Sequence, residues 1–330
     1  MRRTVKKQEH HTDQKHPDEK ADTSLKAPWR IKIGLLLGPA RAPFLILTPA
    51  CMILGYASTA WSSGHVSFRR FLLALIGGVA AHISVNAFNE FSDFKTGLDF
   101  KTERTPFSGG SGTLQKEPSL SRWALGMAVA GLGITSIIGL YFAVIVGWAL
   151  LPLGILGIFI IIAYTGWLTR NPYSCLVAPG IGFGPLMVIG TAFVLTGRYS
   201  VTAAIVSLVP FFLVSNLLLL NQFPDSGPDR TIGRRHFPIA IGRRKSSVIY
   251  GTFLSLSYLS IAGGVAIGRL PAPCLMGLLT IVLAVPTFID AYRHAEAPGN
   301  LVPAMGMNVL INLLTPALVA LGLLAAPRPA

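Results

Sequence analysis

The stretch FLLALIGGVAAHISVNAFNEFSDFKTGLD, residues 71–99, decides the fold. It opens with roughly twenty residues that include no Asp, Glu, Lys or Arg, enough to cross a bilayer as one helix. It ends in Glu90, Asp93 and Asp99, so an apolar span delivers carboxylates to one membrane surface. Acidic groups at such a depth are costly and need partners or an ion. Asn86, Asn89, Glu90 and Asp93 stand at i, i+3, i+4 and i+7, so one helical face presents all four. Oxygen donors of this kind suit a hard cation, and Mg2+ usually takes one or two carboxylates together with phosphate oxygens. A polar helix end solvated by water and headgroups explains the same residues, and this motif alone leaves both readings open. His82, two turns before Glu90, reads as a packed and hydrogen-bonded histidine rather than a base.

Outward from this stretch the chain has the same character. Of 330 residues 52% are hydrophobic and 13% charged, with a mean hydropathy of +0.57. Soluble domains carry about 25% charged residues, so the composition excludes that class. Nine apolar spans are expected, at about 34–57, 70–90, 122–143, 146–166, 177–196, 201–222, 246–267, 271–290 and 303–325. The reading is an all-α polytopic membrane protein. Residues 1–30 form a polar, disordered cytoplasmic tail and 31–330 the transmembrane domain. His10, His11 and His16 belong to that solvated tail, and no cleavable signal peptide is expected because the first apolar run begins only after residue 30.

The net charge of +14 raises the question of nucleic acid. The basic residues lie in short loops between apolar spans and no nucleic-acid-binding module accompanies them, so no nucleic-acid partner is expected. They serve orientation instead. With the N-terminus in the cytoplasm, sixteen of the 21 Lys and Arg beyond residue 28 fall on the cytoplasmic side and five opposite, Arg69 and Arg70 being the awkward pair. Cys51, Cys175 and Cys274 lie apart, without CxxC spacing, and read as packing residues.

A second polar cluster closes the sixth span: NQFPDSGPDRTIGRR, residues 221–235. Asn221, Asp225 and Asp229 are four apart, one face if helical, although Pro224, Gly227 and Pro228 argue against a regular helix. Arg230, Arg234 and Arg235 follow at once, and a guanidinium fork matches phosphate oxygens. Carboxylates for a divalent cation beside arginines describe a diphosphate clamp. The loop after the first cluster repeats the plan with Lys95, Arg104 and the glycine-rich FSGGSG at 107–112, which is either a phosphate cradle or a flexible connection.

Together the two clusters, their placement after the second and sixth spans, and the nine helices resemble the UbiA superfamily of intramembrane prenyltransferases. The strings NAFNEFSDFKTGLD, ERTPFSGGSGTL, YTG at 164–166 and NQFPDSGPDRTIGRRHFPIAIG at 221–242 most resemble its 1,4-dihydroxy-2-naphthoate polyprenyltransferase branch. Arg41 with Pro43 also suits the family. Glu90 stands where the family often has Asp, Arg234 where lysine is common, His236-Phe237-Pro238 in place of a threonine-containing stretch, and Phe183 where an acidic residue is frequent.

The resemblance implies a UbiA-type bundle that transfers a prenyl group from a polyprenyl diphosphate to an aromatic acceptor in quinone biosynthesis, with Mg2+ as cofactor. It implies Glu90, Asp93, Asp225 and Asp229 as metal ligands, with Asn86, Asn89 and Asn221 assisting. Arg41, Lys95, Arg104, Arg230 and Arg234 would neutralise the diphosphate, and Tyr164 is one candidate for shielding an allylic cation through its ring face. The implied location is a bacterial inner (cell) membrane with the site facing the cytoplasm. A cation-coupled secondary transporter is the competing reading, which the placement of both clusters at helix ends rather than at the bilayer midplane disfavours. Acceptor, tail length and oligomeric state stay open.

Overall fold

The computed structural model describes residues 28–64 and 66–329. Among them no strand forms and the body is a helical bundle. A leading helix, Pro28–Leu37, starts just before the expected tail boundary; the tail up to residue 27 lies outside the described residues. The membrane body consists of α1 (Ala42–Ser63), α2 (Phe68–Thr96), α3 (Pro118–Ile145), α4 (Trp148–Ala163), α5 (Pro172–Thr196), α6 (Val201–Thr231), α7 (Arg243–Ala266), α8 (Ala272–Arg293) and α9 (Pro298–Ala325).

Eight of these helices are long and apolar enough to cross a membrane, which corrects the expected nine. The exception is α4, at the place of the span expected over 146–166. Gly147 precedes it, a turn at Tyr164–Trp167 stops it, and its rise of about 24 Å falls short of a hydrocarbon core of about 30 Å. The first expected span, 34–57, is also corrected. Pro39 and Pro43 break it into 3-10 turns around Arg41, so the crossing helix starts at Ala42.

Large apolar side chains such as Ile137, Ile155, Leu279 and Val282 project outward, as a lipid-facing surface requires. Inside, Tyr250, Phe223, Leu219 and Met305 are fully buried. A polar seam stitches α6, α7 and α9: Asn216 Nδ2 donates to the Tyr250 carbonyl (2.7 Å), the Tyr250 hydroxyl donates to Asn308 Oδ1 (3.1 Å), and Asn312 Nδ2 donates to the Asn308 carbonyl (2.9 Å). Asn308 therefore joins α9 to α7, and Asn312 braces it from one turn further along α9. Close packing of α5 on α6 depends on Gly184, where a Cβ would lie 2.5 Å from the Ser207 carbonyl.

Two features place the site. Helix α6 continues to Thr231 through Pro224 and Pro228. Around these prolines the Phe223 carbonyl is held by Arg243 Nε (2.9 Å) and the Ser226 hydroxyl (2.9 Å), which ties the turn to the start of α7. Asn221, Asp225 and Asp229 therefore do share one helical face. At the end of α2, Gly97 takes a left-handed conformation (φ 71°) that a side chain would resist, and the chain turns back over the carboxylates.

Candidate active site at the mouth of an apolar cavity

A cavity of about 560 Å³ runs between α1, α2, α3, α4, α5 and α6. Its depth is apolar, lined by residues such as Ala74, Phe142, Leu150 and Leu186. At its mouth stand Arg41, Asn86, Asn89, Tyr164 and Asn221. The lining residues of α2 run from Ala74 to Asn89, about 22 Å along the helix.

At this mouth the two motifs meet. Arg234 lies between them, its Nη1 donating to Asp229 Oδ1 at 3.0 Å and its Nη2 to Asp93 Oδ1 and, more weakly, to Asn89 Oδ1 at 3.4 Å. Burial works against the guanidinium charge, and Asp93 and Asp229 more than offset this, raising its pKa. On its other oxygen Asp229 accepts from His236 Nε2 at 2.9 Å. The sequence motif passed over His236, which is buried and closes the second motif where the helix ends.

The first motif is held differently. Glu90 is almost fully buried and accepts from the Ser111 backbone N–H (3.0 and 3.1 Å to its two oxygens) and from the Ser111 hydroxyl. Gly109, Gly110 and Gly112 all have φ near +70° to +80°, so the loop needs glycine there. A Cβ on Gly110 would lie 3.0 Å from Asp99 Oδ1 and 3.4 Å from Glu90 Oε2. The FSGGSG loop is thus folded onto the carboxylates. Burial pushes the Asp99 carboxyl up to about 7, and the neighbouring Glu90 and Asp93 push in the same direction.

Arg41 is the one described non-glycine residue with positive φ (52°). Backbone strain at a single position marks a functional constraint; here it sets the arginine on the cavity wall, where its charge acts on Asp93, Asp99 and Asp225. Asn86 Nδ2 donates to the Ala40 carbonyl at 3.0 Å, anchoring that turn to α2. Thr165 donates to Asn89 Oδ1 at 3.2 Å and so brings the YTG turn, with Tyr164, to the mouth.

Three expected contributors are not brought in. Lys95 is exposed on the far face of α2, its Nζ 5.6 Å from the Phe91 ring centroid, as a residue two positions from Asp93 must be. Arg230 is exposed and lines a separate small cavity with Arg243 and Glu296. Arg104 donates to the Ser111 carbonyl and braces the glycine loop over Gly112.

Could these residues hold Mg2+? Asp99 Oδ2, Asp225 Oδ1 and Asn221 Oδ1 are buried without a hydrogen-bond partner among the described residues. Orphaned oxygens at one mouth are the donors a hard cation takes. No three His, Cys, Asp or Glu side chains converge on one point among the described residues. That suits an ion completing its shell with phosphate oxygens and water, not one caged by protein, so the set fits.

A helical membrane body, an apolar cavity and two carboxylate motifs at its mouth define an intramembrane prenyltransferase. The chain belongs to the UbiA prenyltransferase family, which it matches over residues 46–308. It is 26% identical over 304 residues to the 1,4-dihydroxy-2-naphthoate octaprenyltransferase of Bacillus subtilis (strain 168), covering 90% of this chain and 95% of that one. Its fold is similar to a UbiA homologue from Aeropyrum pernix K1 (TM-score 0.63, 16% identity, 85% of this chain and 96% of that one). A second similar structure is a UbiA homologue from Archaeoglobus fulgidus bound to GPP and Mg2+ (TM-score 0.59, 13% identity, 86% and 99%). The transporter reading gains no support from any of these.

Proposed function

We propose that this enzyme transfers a prenyl group from a polyprenyl diphosphate to a hydroxylated aromatic acid, of the dihydroxynaphthoate type, in quinone biosynthesis, with Mg2+ as cofactor. The observation that carries the reading is the meeting of Asp93 and Asp229, from the two motifs, through Arg234 at the polar end of an apolar cavity. The dihydroxynaphthoate relative supports the acceptor class, and the GPP- and Mg2+-bound homologue supports the donor and the ion.

The isoprenoid tail lies in the apolar depth, where it leaves hydrocarbon for hydrocarbon and gives up no hydrogen bonds. Glu90, Asp93, Asp225 and Asp229 would hold Mg2+, assisted by Asn221. When bound, the ion screens the diphosphate and stabilises the charge that grows on it. Arg41 and Arg234 face the same group, and fixed positive charge aimed at a leaving group lowers the barrier to its departure. The allylic C–O bond breaks with its electrons going to diphosphate. The electron-rich ring carbon bonds to the allylic carbon and regains aromaticity by releasing a proton or CO2. Tyr164 presents its ring at the mouth, where a π face steadies the positive charge. The loop carrying Ser111 covers Glu90 and keeps bulk water from the cation. A bacterial inner membrane with this mouth toward the cytoplasm agrees with the bias of basic residues toward the motif side.

The test is direct. Detergent-purified protein is incubated with Mg2+, prenyl diphosphates of several lengths and a panel of hydroxylated aromatic acids, and products are identified by mass. Prenylated dihydroxynaphthoate is the expected product. Transfer only to a hydroxybenzoate would overturn the acceptor, and no transfer to any arene would overturn the reading.

A further inference from the structure

His82 is 6% exposed, lies on α2 one turn deeper than Asn86, and lines the cavity. Its Nδ1 is 2.9 Å from the Thr48 hydroxyl, which is itself fully buried and has no other hydrogen-bond partner among the described residues. A buried hydroxyl must place its hydrogen somewhere, and the only acceptor Thr48 has is Nδ1. That fixes the tautomer: Nδ1 accepts, so Nε2 carries the proton. Nε2–H has no hydrogen-bond partner among the described residues, and Thr48 does not line the cavity, so the donor is the edge of the ring turned toward the cavity. Thr135 and Ser136, also on the wall, give their hydroxyls to backbone carbonyls, Thr135 to Gly77 and Gly131 and Ser136 to Leu132, and offer nothing comparable.

An isoprenoid tail has no atom that can accept this hydrogen bond. A tail alone against Nε2–H would leave a buried donor desolvated and unpaired, a loss the site has no reason to carry. Along α2, His82 is about 6–10 Å from Asn86 and Asn89, the length of one or two fused aromatic rings. Phe183, from the π-helical segment Gly182–Ile189 of α5, meets the imidazole edge-on at 4.8 Å between centroids and 81° between planes, and it lines the same cavity. A flat aromatic wall and a single fixed donor are what a hydroxylated arene takes, and a tail takes only the first.

We propose that His82, held as a donor by Thr48, is a recognition residue for the aromatic acceptor, giving its Nε2–H to a ring oxygen (hydroxyl or carboxylate) at the acceptor's inner end, with Phe183 against the ring face. This rests on the prenyl-transfer reading above. It gives the acceptor a place in the cavity distinct from the diphosphate mouth.

The test combines side-chain and substrate changes. His82→Phe keeps the ring and removes the donor, His82→Gln keeps an amide N–H near the Nε2 position, and His82→Asn places its amide near Nδ1. Steady-state kinetics with dihydroxynaphthoate and with analogues lacking one ring oxygen should show an acceptor KM about ten-fold higher for His82→Phe, with the prenyl diphosphate KM unchanged. His82→Gln should recover most of the loss and His82→Asn little. For one analogue, wild type and His82→Phe should become equal, which identifies the oxygen contacted. Thermal stabilisation by the acceptor alone, without Mg2+ or prenyl diphosphate, should fall in His82→Phe and return in His82→Gln. An unchanged acceptor KM and thermal shift in His82→Phe would overturn the proposal, as would a change confined to the prenyl diphosphate KM or tail length. Wild type that transfers to no arene and is stabilised by none would overturn the underlying reading as well.

Discussion

The two carboxylate motifs close helices of similar length, 29 residues in α2 and 31 in α6, but they are kept in opposite ways. The end of α2 is covered by neutral donors: Glu90 receives a backbone N–H and a hydroxyl from Ser111, and no cation among the described residues pairs with it or with Asp99. The end of α6 carries its own partners, the Arg234 guanidinium on one oxygen of Asp229 and the His236 imidazole on the other. Hydrogen bonds from neutral groups satisfy lone pairs but leave the charge in place, whereas a guanidinium removes most of it. Among the described residues, Glu90, Asp93, Asp99, Asp225 and Asp229 lie near one mouth and Arg41 and Arg234 act on them, so carboxylates outnumber arginines there. The first motif therefore draws on the second motif's arginine for positive charge, and the proposed Mg2+ would supply the rest.

The largest effect should come from removing a carboxylate on either side. Asp93→Asn and Asp225→Asn should each cost about 10²–10³-fold or more in transfer while leaving a monodisperse protein in detergent. Full activity of either variant in excess Mg2+ would show that the motifs do not work as a pair. Next in size is Arg234→Gln, which leaves Asp93 and Asp229 facing each other without the bridge. Breaking such a buried pair costs about 3–5 kcal/mol, and the loss should be greatest in chelator and partly recovered with Mg2+. Thermal melts in the two buffers read this out. A loss of equal size in both would mean that Arg234 does not stand in for the ion. Smaller again is Gly110→Ala. Its left-handed φ of 73° alone costs about 1–2 kcal/mol, and the new methyl presses on Asp99, so the loop should lift from Glu90 and proteolysis between Glu103 and Lys116 should quicken.

The comparison also explains what could be read from the sequence. The α2 motif was legible because an uninterrupted helix turns a spacing of three and four into one face, and Asn86, Asn89, Glu90 and Asp93 obey it. The α6 motif was less so: Pro224 and Pro228 argue for a break, yet the helix runs through them, its turn tied at the Phe223 carbonyl to Arg243, twenty residues on. Local propensity contains no term for such a tie. Lys95 and Arg230 were counted by charge and proximity in sequence, yet helix geometry sends them to other faces. The loop glycines looked indifferent because their role is set by Glu90 and Asp99 across space. Membership of α4 in the bundle was readable from its apolar run, but its shortness depends on where the turn at Tyr164 falls.

The smallest effect gives the sharpest test of the asymmetry, because it concerns Asp99, whose Oδ2 has no hydrogen-bond partner and which forms no ion pair among the described residues. Asp99 is held up at about 7 by burial, with Glu90 and Asp93 adding to it, against an ordinary value near 4 in the unfolded chain. Between about pH 4 and 7 the folded protein therefore binds a proton here that the unfolded chain has released. The associated stability is fully present below about pH 4 and is lost as pH rises through 7. In chelator, the melting temperature of the wild type should fall from pH 5 to pH 8, and Asp99→Asn, which cannot ionise, should flatten part of that fall. Mg2+ opposes the trend, since it favours the ionised cluster, so its stabilising shift should be larger at pH 8 than at pH 5. If Asp99→Asn left the slope unchanged in chelator, the uncompensated charge would have to lie on the α6 side, and the contrast between the two motifs would be reversed.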